Sequence, residues 1–600
     1  MFLRCSTRKK NGKQHRYWSI VENKRCAGDH IVQRHVLYLG EINDQQQASW
    51  EKTIEIFEQG RPQPCTVALF PEDRPIQVEG EHIVRVKLSE LQLRRPRQWG
   101  ACWLACHLYQ ELELDQFWSV RLPVGRKGTR WDLVLQTLCA YRLIDPGSEW
   151  RLHRQWFEQS AMGDLLGADF GQLAESHKLY ECHDLLLEHK AALFEHLAQR
   201  WKDLFNAKFE VLLYDLTSSY FESNPPFPEE DKRKFGYSRD KRADCVQVVI
   251  ALIVTPEGFP LAYEVMSGNT SDRTTLKAFL EKIEKQYGKA QRIWVMDRGI
   301  PTEKVLQEMR QSDPPVLYLV GTPKGRLSKL EAQLTELPWQ KAREGVEVKL
   351  LPQSGEVYVL AQSLDRVNKE RSMRRRQLKG LWKRLKELQG MELKRDALLM
   401  KLGAARQQAP SAWRLVKVQL PAKQKKKPGQ EEQSPPHKLQ FSLRKAKLRQ
   451  VRRREGRYLL RTNMAEKPGV ELWEFYLQLT HVEEAFKHLK GDLALRPFYH
   501  QKQERIEAHI FVAFLAYCLH VSLGRRLKDL APGLTARSVL EKFKAMQMLD
   551  VHLPTTDGRE VILTRATQPE PDQQLLLEKL KLQLPEQPPP KITAAQVPVK

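Results

Sequence analysis

The chain has 600 residues and a formal net charge of +24. Its length exceeds what one hydrophobic core normally supports, so several domains are predicted. The positive charge favours a polyanionic partner, because each Lys or Arg that neutralises a phosphate releases condensed counterions. Nucleic acid is the first candidate for that partner.

The cysteines and the apolar runs argue against a zinc-binding, a secreted or a membrane protein. The nine cysteines are scattered, at positions 5, 26, 65, 102, 106, 139, 182, 245 and 518. Cys102 and Cys106, followed by His107, lie in an apolar helical stretch that favours core thiols, and no second Cys/His pair completes a tetrahedral site, so a structural zinc is not expected. Unpaired thiols indicate a reducing cytoplasm. No signal peptide is expected, and the apolar run at 510–523 is too short to span a bilayer, so it predicts a core helix and no membrane role.

The N-terminal part is predicted to comprise two regions. Residues 1–95 form a basic module with a β-hairpin, because alternating runs at 14–21 and 31–39 flank a Gly-Asp turn signal. Residues 96–205 are helical, with helices predicted at 101–114, 131–143, 148–158 and 183–200. Short helices joined by tight turns can include a helix-turn-helix, so this region is predicted to bind DNA.

The pattern changes again in residues 206–322. Strands are predicted at 210–216, 246–254, 260–266, 292–296 and 316–320, with helices at 273–287 and 302–311. Three strands followed by alternating helices and strands are typical of the first part of an RNase H-like sheet. The predicted fold class is therefore α/β and multidomain, with an RNase H-like catalytic core.

A long insertion, residues 323–465, is predicted to interrupt this core. It contains an alternating run at 346–360, a charged helical stretch at 365–406 and a flexible linker at 421–437. Between Asp365 and Arg461, 30 lysines and arginines stand against 8 acidic residues, which places +22 of the charge there. The segment favours DNA contact, although any one basic cluster is equally typical of a solvated face. The helical stretch is either a coiled-coil arm or a solvated hairpin.

The core is predicted to resume over residues 466–530. A C-terminal extension, residues 531–600, follows, and its last thirty residues are predicted to be a disordered tail because they are rich in proline.

Two aspartates are candidates for a metal site. Asp215 and Asp297 each follow a short apolar run and are predicted to end neighbouring strands. Each alone is equally typical of a helix cap or a turn, but a pair on adjacent strands indicates one acidic pocket. Hard cations such as Mg²⁺, for which Mn²⁺ substitutes, prefer oxygen ligands, and two such ions about 4 Å apart support in-line phosphoryl transfer.

The third candidate carboxylate is Glu483. Tyr476, Glu483 and Lys490 are spaced by seven residues in an apolar-periodic segment, so they are predicted to project from one stripe of a single helix. Glu484 is the rival ligand, but it lies about 100° round the helix from that stripe. For an isolated helix, a packed tyrosine and two solvated charges would explain the same pattern.

These residues carry a family resemblance. Tyr476, Glu483 and Lys490 resemble the tyrosine-arginine-glutamate-lysine signature of bacterial insertion-sequence DDE transposases, and the resemblance covers nearly the full length. Further similar stretches are YDLTSSYFE at 214–222, FGYSRDKR at 235–242, GFPLAYEV at 258–265, GNTSD at 268–272 and VEEAFKHLK at 482–490.

The resemblance implies an RNase H-like core, a DNA-binding N-terminal part and an insertion domain before the glutamate. It also implies that Asp215, Asp297 and Glu483 are the catalytic, metal-binding triad and that Tyr476 and Lys490 contact transposon-end phosphates. The signature arginine is replaced by Leu479. Either its role is dispensable, or another cation such as Lys487 or Arg496 supplies it.

Several neighbouring residues have weaker signals. Arg298 either contacts DNA phosphate or balances the carboxylates, and Asp272 is predicted to cap a helix. Trp294 is predicted to be a core residue. His500 and His509 are predicted to be structural.

The predicted function is that of a DNA transposase. It would bind the terminal inverted repeats of its element, cleave DNA strands with two Mg²⁺ ions and transfer the ends to target DNA, acting as a homodimer in the bacterial cytoplasm and on the nucleoid. The alternatives are a domesticated or inactive DNA-binding protein, or an RNase H-like nuclease without strand transfer.

Overall fold

The chain forms a mixed α/β structure with large sheets. This computed structural model describes every residue except 11–12, 26–30, 44–45, 48–49, 51–85, 126–127, 223–226, 239, 241, 271–280, 282, 285–291, 298–299, 323, 354, 392, 394, 420–438, 499 and 594–600.

The strands of the described residues are numbered β1 to β18 in chain order. They are β1 Phe2–Lys10, β2 Lys13–Arg25, β3 Ile31–Gly40, β4 Gln92–Gln98, β5 Val211–Phe221, β6 Val246–Val254, β7 Pro260–Ser267, β8 Ile293–Met296, β9 Leu317–Gly321, β10 Gln340–Arg343, β11 Val346–Gln353, β12 Glu356–Ser363, β13 Val416–Gln419, β14 Gln440–Leu443, β15 Arg457–Thr462, β16 Gln547–Pro554, β17 Glu560–Ala566 and β18 Lys591–Thr593.

The longer helices are numbered α1 to α15 in the same way. They are α1 Gly100–Glu111, α2 Leu114–Arg121, α3 Trp131–Ile144, α4 Ser176–Asp184, α5 Lys190–Phe205, α6 Glu303–Gln311, α7 Lys324–Glu336, α8 Leu364–Gln389, α9 Arg395–Gln408, α10 Lys445–Arg453, α11 Gly469–Leu477, α12 Leu479–Lys490, α13 Gln503–Leu530, α14 Ala536–Phe543 and α15 Pro571–Leu580. Short helical segments are Leu88–Glu90, Glu149–Arg151, Leu152–Trp156, Phe157–Gln159, Met162–Leu166, Phe170–Leu173, Leu187–His189 and Pro410–Trp413.

The five strands predicted between residues 210 and 320 all occur, as β5 to β9. They lie side by side in the order β7-β6-β5-β8-β9, with β6 antiparallel to both β7 and β5, and with β5, β8 and β9 parallel to one another. The strands β6 and β8 are buried along their whole length, as expected for strands covered on both faces. The predicted helix at 302–311 is α6, whereas the one at 273–287 falls mostly outside the described residues.

One predicted strand end is wrong. Strand β5 continues to Phe221, because it stays paired with β6 as far as Phe221 opposite Val246. Asp215 therefore lies inside an eleven-residue strand rather than at its end. The polar residues Thr217, Ser218 and Ser219, which follow the predicted strand end, are buried within that strand.

The same sheet continues into the segment predicted to be an insertion. Strand β15 pairs with β9, and β12, β11 and β10 follow it outward, so nine strands form one sheet. The alternating run at 346–360 is thus a hairpin of two strands that turns at Gly355. The hairpin is joined to β9 through β15, which lies between β12 and β9. Strand β15 begins about one hundred residues after the end of β12.

The charged helical stretch forms two helices, α8 and α9, which share a small hydrophobic core. Leu381, Leu385 and Leu388 of α8 pack with Leu398 and Leu402 of α9. The stretch is therefore a packed helical unit, while the linker predicted at 421–437 lies outside the described residues.

The long apolar helix predicted near 510–523 is α13. It is long and apolar enough to cross a bilayer, yet 89% of its apolar window is buried inside the protein. It packs on α3 and α4 on one side and on α12 on another. It is a core helix, as predicted, and it connects the N-terminal helices to the large sheet.

The N-terminal region contains the predicted strands β2 and β3 together with β1, which pair as a three-stranded antiparallel sheet. Three of the predicted helices occur with small shifts. The fourth, predicted at 183–200, is divided by Leu187–His189 between α4 and α5. Cys102 and Cys106 are buried in α1, as predicted for core thiols.

The prediction of a disordered tail is wrong for residues 571–593. Helix α15 buries three consecutive leucines, Leu575 to Leu577, and β18 pairs with β17. These strands form a four-stranded sheet in the order β18-β17-β16-β4, so the C-terminal extension pairs with a strand from the N-terminal part of the chain.

Candidate active site

Asp215 and Asp297 occupy neighbouring positions where two adjacent parallel strands are paired. Tyr214 of β5 pairs with Met296, the last residue of β8, so the next residue is Asp215 inside β5 and Asp297 immediately after β8. Adjacent strands lie about 4.8 Å apart, and side chains at equivalent positions point to the same face. Both residues are partly exposed, unlike the buried residues that precede them. The sequence prediction that two carboxylates meet here is consistent with this register.

Helix α12 brings Glu483 to the same face. Val482, Ala485, Phe486 and Leu489 are buried at helical spacing, and the helix packs on β5 and β6. Glu483 is exposed and lies about 60° round the helix from Phe486, at the flank of this apolar stripe.

Asp297 and Glu483 share a cavity of about 320 Å³. Its lining combines the end of β8, the start of β15 and the junction of α11 with α12, and consists of Asp297, Gly321, Thr322, Leu327, Arg366, Arg457, Tyr458, Leu459, Tyr476, Leu477, Leu479, Thr480 and Glu483. Burial raises the pKa of Glu483, and the negative charge of Asp297 raises it further. The negative charge of Asp297 therefore disfavours ionisation of Glu483.

Glu484 has a different environment from Glu483. Its carboxylate lies 3.6 Å from His488 Nε2 and 4.0 Å from His481 Nδ1. Hydrogen bonding to His488 lowers the pKa of Glu484, so this group already has cationic or donor partners on its own helix. Glu484 does not line the cavity that contains Asp297.

Tyr476 lines the cavity, but it does not share a helix with Glu483. The helix predicted to begin near Glu471 is interrupted at Gln478, which ends α11 and precedes α12. The Tyr476 ring packs 5.9 Å from the ring of Tyr458, between centroids. The prediction of one continuous stripe is therefore wrong, since a seven-residue spacing cannot reveal a break of one residue in the helix.

Lys490 lies on α12 but in different surroundings. Its Nζ is 3.2 Å from Asp240 Oδ2, and Arg496 Nη1 is 3.0 Å from the same oxygen. Lys490 lines a separate, narrow cavity with residues of β5 and β6. The spacing predicted that Tyr476, Glu483 and Lys490 project from one stripe of a helix; of the three, Tyr476 and Glu483 line the cavity with Asp297 and Lys490 does not.

Family models match most of the chain. The model of the transposase DDE domain matches residues 206–519, and that of the N-terminal domain of IS1634 family transposases matches residues 3–64. The chain belongs to the DDE transposase family. It is an insertion-sequence transposase, as the sequence resemblance indicated.

Other comparisons add little to this assignment. Among solved structures, the piggyBac transposase synaptic complex with hairpin DNA, determined by cryo-electron microscopy, matches 76% of this transposase and 82% of that chain. The two are 9% identical with a TM-score of 0.34, which is too low to support an inference about fold or activity. A search of curated proteins gives no match.

Two cations of the transposase cavity were missed by the sequence reasoning. Arg366 in the first turn of α8 and Arg457 at the start of β15 both line it. The Arg366 guanidinium lies 4.7 Å from the centroid of the Tyr458 ring, and Arg457 Nε donates a 2.8 Å hydrogen bond to Gln362 Oε1. Both residues belong to a segment so rich in arginine that no local signal distinguishes them.

Leu479, which replaces the signature arginine, is 7% exposed and packs in the main core beside the cavity. Of the cations suggested as substitutes, Arg496 is bound to Asp240, as Lys490 is. Neither of the two suggested substitutes, Lys487 and Arg496, lines the cavity with Asp297, whereas Arg366 and Arg457 do.

The remaining candidates divide into two groups. Trp294 is buried in β8, as predicted for a core residue, and His500 and His509 are buried as well. Arg298 and Asp272 lie outside the described residues, so the roles predicted for them stay predictions.

Proposed function

We propose that this transposase cleaves and joins DNA strands at the cavity between β8 and α12, with Asp215, Asp297 and Glu483 as its catalytic carboxylates. The supporting observation is that Asp297 and Glu483, far apart in the chain, line one cavity. Asp215 occupies the next strand position beside Asp297.

The donor set fits hard divalent cations. DDE transposases use divalent metal ions, and the carboxylates proposed here supply oxygen ligands only. Oxygen ligands with room for water and phosphate suit Mg²⁺, with Mn²⁺ as a substitute. The raised pKa of Glu483 supports this assignment, because the repulsion from Asp297 that contributes to it is relieved when a cation binds between the two. Two bound ions would activate the attacking oxygen and stabilise the leaving one.

The two reactions need little beyond positioning. In the first, a water oxygen bonds to the phosphorus at the transposon end, and the bridging oxygen leaves as a 3′-hydroxyl. In the second, that hydroxyl oxygen bonds to a phosphorus of target DNA, and a target oxygen is displaced. When bound, the ions would be held by the carboxylates for both steps, and no covalent enzyme intermediate is required.

Arg366, Arg457 and Tyr476 are proposed to contact the phosphates nearest the scissile bond. All three line the cavity, and two are permanent cations. Because Leu479 cannot donate a hydrogen bond, these arginines are the proposed replacement for the signature arginine. Lys490 is proposed to contact the DNA backbone farther along α12, roughly 10 Å from Glu483 at 1.5 Å per residue. Arg298 is proposed as a further phosphate contact.

Double-stranded DNA, both transposon ends and target, is the proposed partner. The segment from Asp365 to Arg461 carries +22, from 30 basic and 8 acidic residues, and many of its arginines and lysines on α8 and α10 are exposed. The protein is proposed to act as a homodimer in the bacterial cytoplasm and on the nucleoid, without a membrane, because two ends must be joined in one complex.

The proposed domain plan keeps the six divisions predicted from the sequence, with an RNase H-like core over residues 206–322 and 466–530. The strand order β7-β6-β5-β8-β9 supports that core. We propose that the insertion, residues 323–465, enlarges the core sheet through β10 to β12 and β15, and adds the basic helices α8 and α9.

The proposal is tested with transposon-end DNA, a target plasmid and Mg²⁺ or Mn²⁺. Asp215→Asn, Asp297→Asn and Glu483→Gln are each expected to lower cleavage and strand transfer by at least about a hundredfold, the usual effect of removing an electrostatic group from a reaction centre. Glu484→Gln is the matched control and is expected to retain activity, because Glu484 pairs with His488 outside the cavity.

The outcomes separate the competing functions. Cleavage without joining would indicate a nuclease, and binding without cleavage by the wild type would indicate an inactive DNA-binding protein. Full activity of all three carboxylate variants would contradict the proposed site.

A further inference from the structure

A second cluster of metal-ligating side chains lies outside the cavity. It consists of Glu149, His183, His500 and His509, whose side chains are all at most 1% exposed. The residues come from the short helix after α3, from α4, from the loop before α13 and from α13 itself. One ligand atom of each lies within 4.8 Å of the corresponding atoms of the others.

The three distances from Glu149 to the histidines are close to those between ligands of a tetrahedral metal site. Glu149 Oε1 is 3.3 Å from His500 Nε2, 3.5 Å from His509 Nδ1 and 3.6 Å from His183 Nε2. Ligands bound to Zn²⁺ at about 2.1 Å in tetrahedral geometry are separated from one another by about 3.4 Å.

Hydrogen bonds fix two of the rings in the metal-binding tautomer. His183 Nδ1 lies 2.8 Å from the Leu179 carbonyl oxygen, and His509 Nε2 lies 3.3 Å from that of Leu495. A carbonyl only accepts, so these nitrogens carry the protons, and the other nitrogen of each ring points a lone pair at Glu149. Metal-ligating histidines are typically held by such a hydrogen bond to a backbone carbonyl.

Two lone pairs facing a carboxylate repel it unless a cation lies between them. Both rings are almost completely buried, an environment that disfavours a charged imidazolium. The second oxygen of Glu149, Oε2, is buried and has no hydrogen-bond partner among the described residues.

Arg142 is the competing source of positive charge. Its Nη2 lies 3.7 Å from Glu149 Oε1 and 3.4 Å from His509 Nδ1. An ion pair with Arg142 would explain the burial of Glu149. It leaves unexplained why the acceptor nitrogen of His183 also faces this carboxylate.

We propose that Glu149, His183, His500 and His509 bind one structural Zn²⁺. Three imidazoles and a carboxylate in tetrahedral arrangement suit this ion, whereas the oxygen-only carboxylates of the cavity suit Mg²⁺. The zinc joins the N-terminal helices to the loop between α12 and α13, and so fixes the loop that follows Lys490. This inference is independent of the proposed reaction and differs from the sequence expectation of no structural zinc.

The first test is the metal content of the full-length protein, purified without a histidine tag. About one zinc per chain is expected by elemental analysis, and chelation is expected to lower the unfolding temperature. Reloading with Co²⁺ is expected to give the strong visible absorption of a tetrahedral site. A folded protein without zinc, whose unfolding temperature and visible spectrum do not respond to Zn²⁺ or Co²⁺, would overturn the proposal in favour of the Arg142 ion pair.

Variants identify the site. His183→Gln is expected to lose the zinc, whereas the matched control His196→Gln is expected to keep it, since His196 also bonds a backbone carbonyl, that of Leu112 at 2.8 Å, but lies outside the cluster. Asp297→Asn is expected to keep it too. Zinc that is lost with Asp297→Asn and kept with His183→Gln would place the ion in the cavity and refute the proposal. If His183→Gln does not fold, the Co²⁺ spectrum of the wild type decides, because a site of oxygen ligands alone lacks the strong tetrahedral bands.

Discussion

Asp297 and Glu483 reach one cavity from two layers of the fold, Asp297 from the end of a central strand and Glu483 from the helix that packs on the sheet. Burial raises the pKa of Glu483, and the negative charge of Asp297 raises it further. The folded protein thus maintains a repulsion at the Glu483 carboxylate, and this has a measurable effect on stability.

Glu483→Gln is expected to stabilise the metal-free protein at pH 8. Because the pKa of Glu483 is raised on folding, its ionisation disfavours the folded state; the effect is absent below the ordinary value of 4.5 and complete above the raised value. In chelator, the unfolding temperature of the variant should exceed that of the wild type at pH 8 and match it near pH 4.5. Mg²⁺ should reverse the order, because the variant loses a ligand.

The matched control for this effect is Glu484→Gln. The pKa of Glu484 is lowered, chiefly by His488, so its removal is expected to reduce the unfolding temperature at pH 6, where the histidine is protonated. A Glu483→Gln protein that is less stable than the wild type in chelator at pH 8 would contradict the account of the cavity.

Arg366→Gln and Arg457→Gln are each expected to weaken binding of transposon-end DNA. If each guanidinium neutralises one phosphate, the slope of log affinity against log salt should fall by about 1 per variant. The measurement is fluorescence anisotropy over a series of salt concentrations. Arg384→Gln is the control, since Arg384 lies on the same helix as Arg366 but about 27 Å farther along; an equal loss in all three variants would indicate a diffuse basic surface.

His488→Gln is expected to destabilise the protein more at pH 6 than at pH 9. Burial alone would lower the pKa of His488, but hydrogen bonds to Glu484 and Asp492 raise it. The charged histidine therefore stabilises the folded state fully below the ordinary value of 6.5, and this contribution is lost as the pH rises through the raised value. Thermal unfolding across this range checks it.

The control is His481→Gln on the same helix. Burial lowers the pKa of His481, so protonation of the wild-type residue costs stability in acid, and its replacement should help at low pH. If the stability of the two variants changed equally with pH, the opposite pKa shifts of His488 and His481 would be contradicted.

Gly236→Ala is expected to destabilise the protein by more than about 2 kcal/mol, as a steric clash with backbone does. A Cβ at residue 236 would lie 2.0 Å from the carbonyl oxygen of Gly268, and neither backbone can retreat. Gly524→Ala in α13 is the control: its Cβ would meet nothing within 4 Å, so it should stabilise by about 0.5–1 kcal/mol. Denaturant unfolding measures both, and a neutral Gly236→Ala would show that the two segments do not pack together.

The sequence predicted the five strands of the catalytic region because each is a compact apolar run between polar turns. It also predicted Glu483 in preference to Glu484, by the angle between the two residues on a helix. The cavity surrounding Glu483 supports that choice, although its catalytic role stays a prediction.

Other features could not be found in this way. The extension of β5 beyond Asp215 is stabilised by pairing with β6, which the polar sequence Thr217 to Ser219 conceals. The places of Arg366 and Arg457 in the cavity lining depend on the pairing of β15 with β9. The cluster around Glu149 combines residues that lie more than three hundred positions apart in the chain. Local periodicity does not contain such tertiary contacts.

The pairing of β4 with β16 has a consequence for biosynthesis. Gln98 lies opposite Gln547, more than four hundred residues later in the chain. At 5–20 residues per second, a ribosome needs roughly twenty seconds to a minute and a half to make that interval. During this time β4 has an unpaired edge, which is a site for aggregation. A chaperone would protect that edge until the last strands are made.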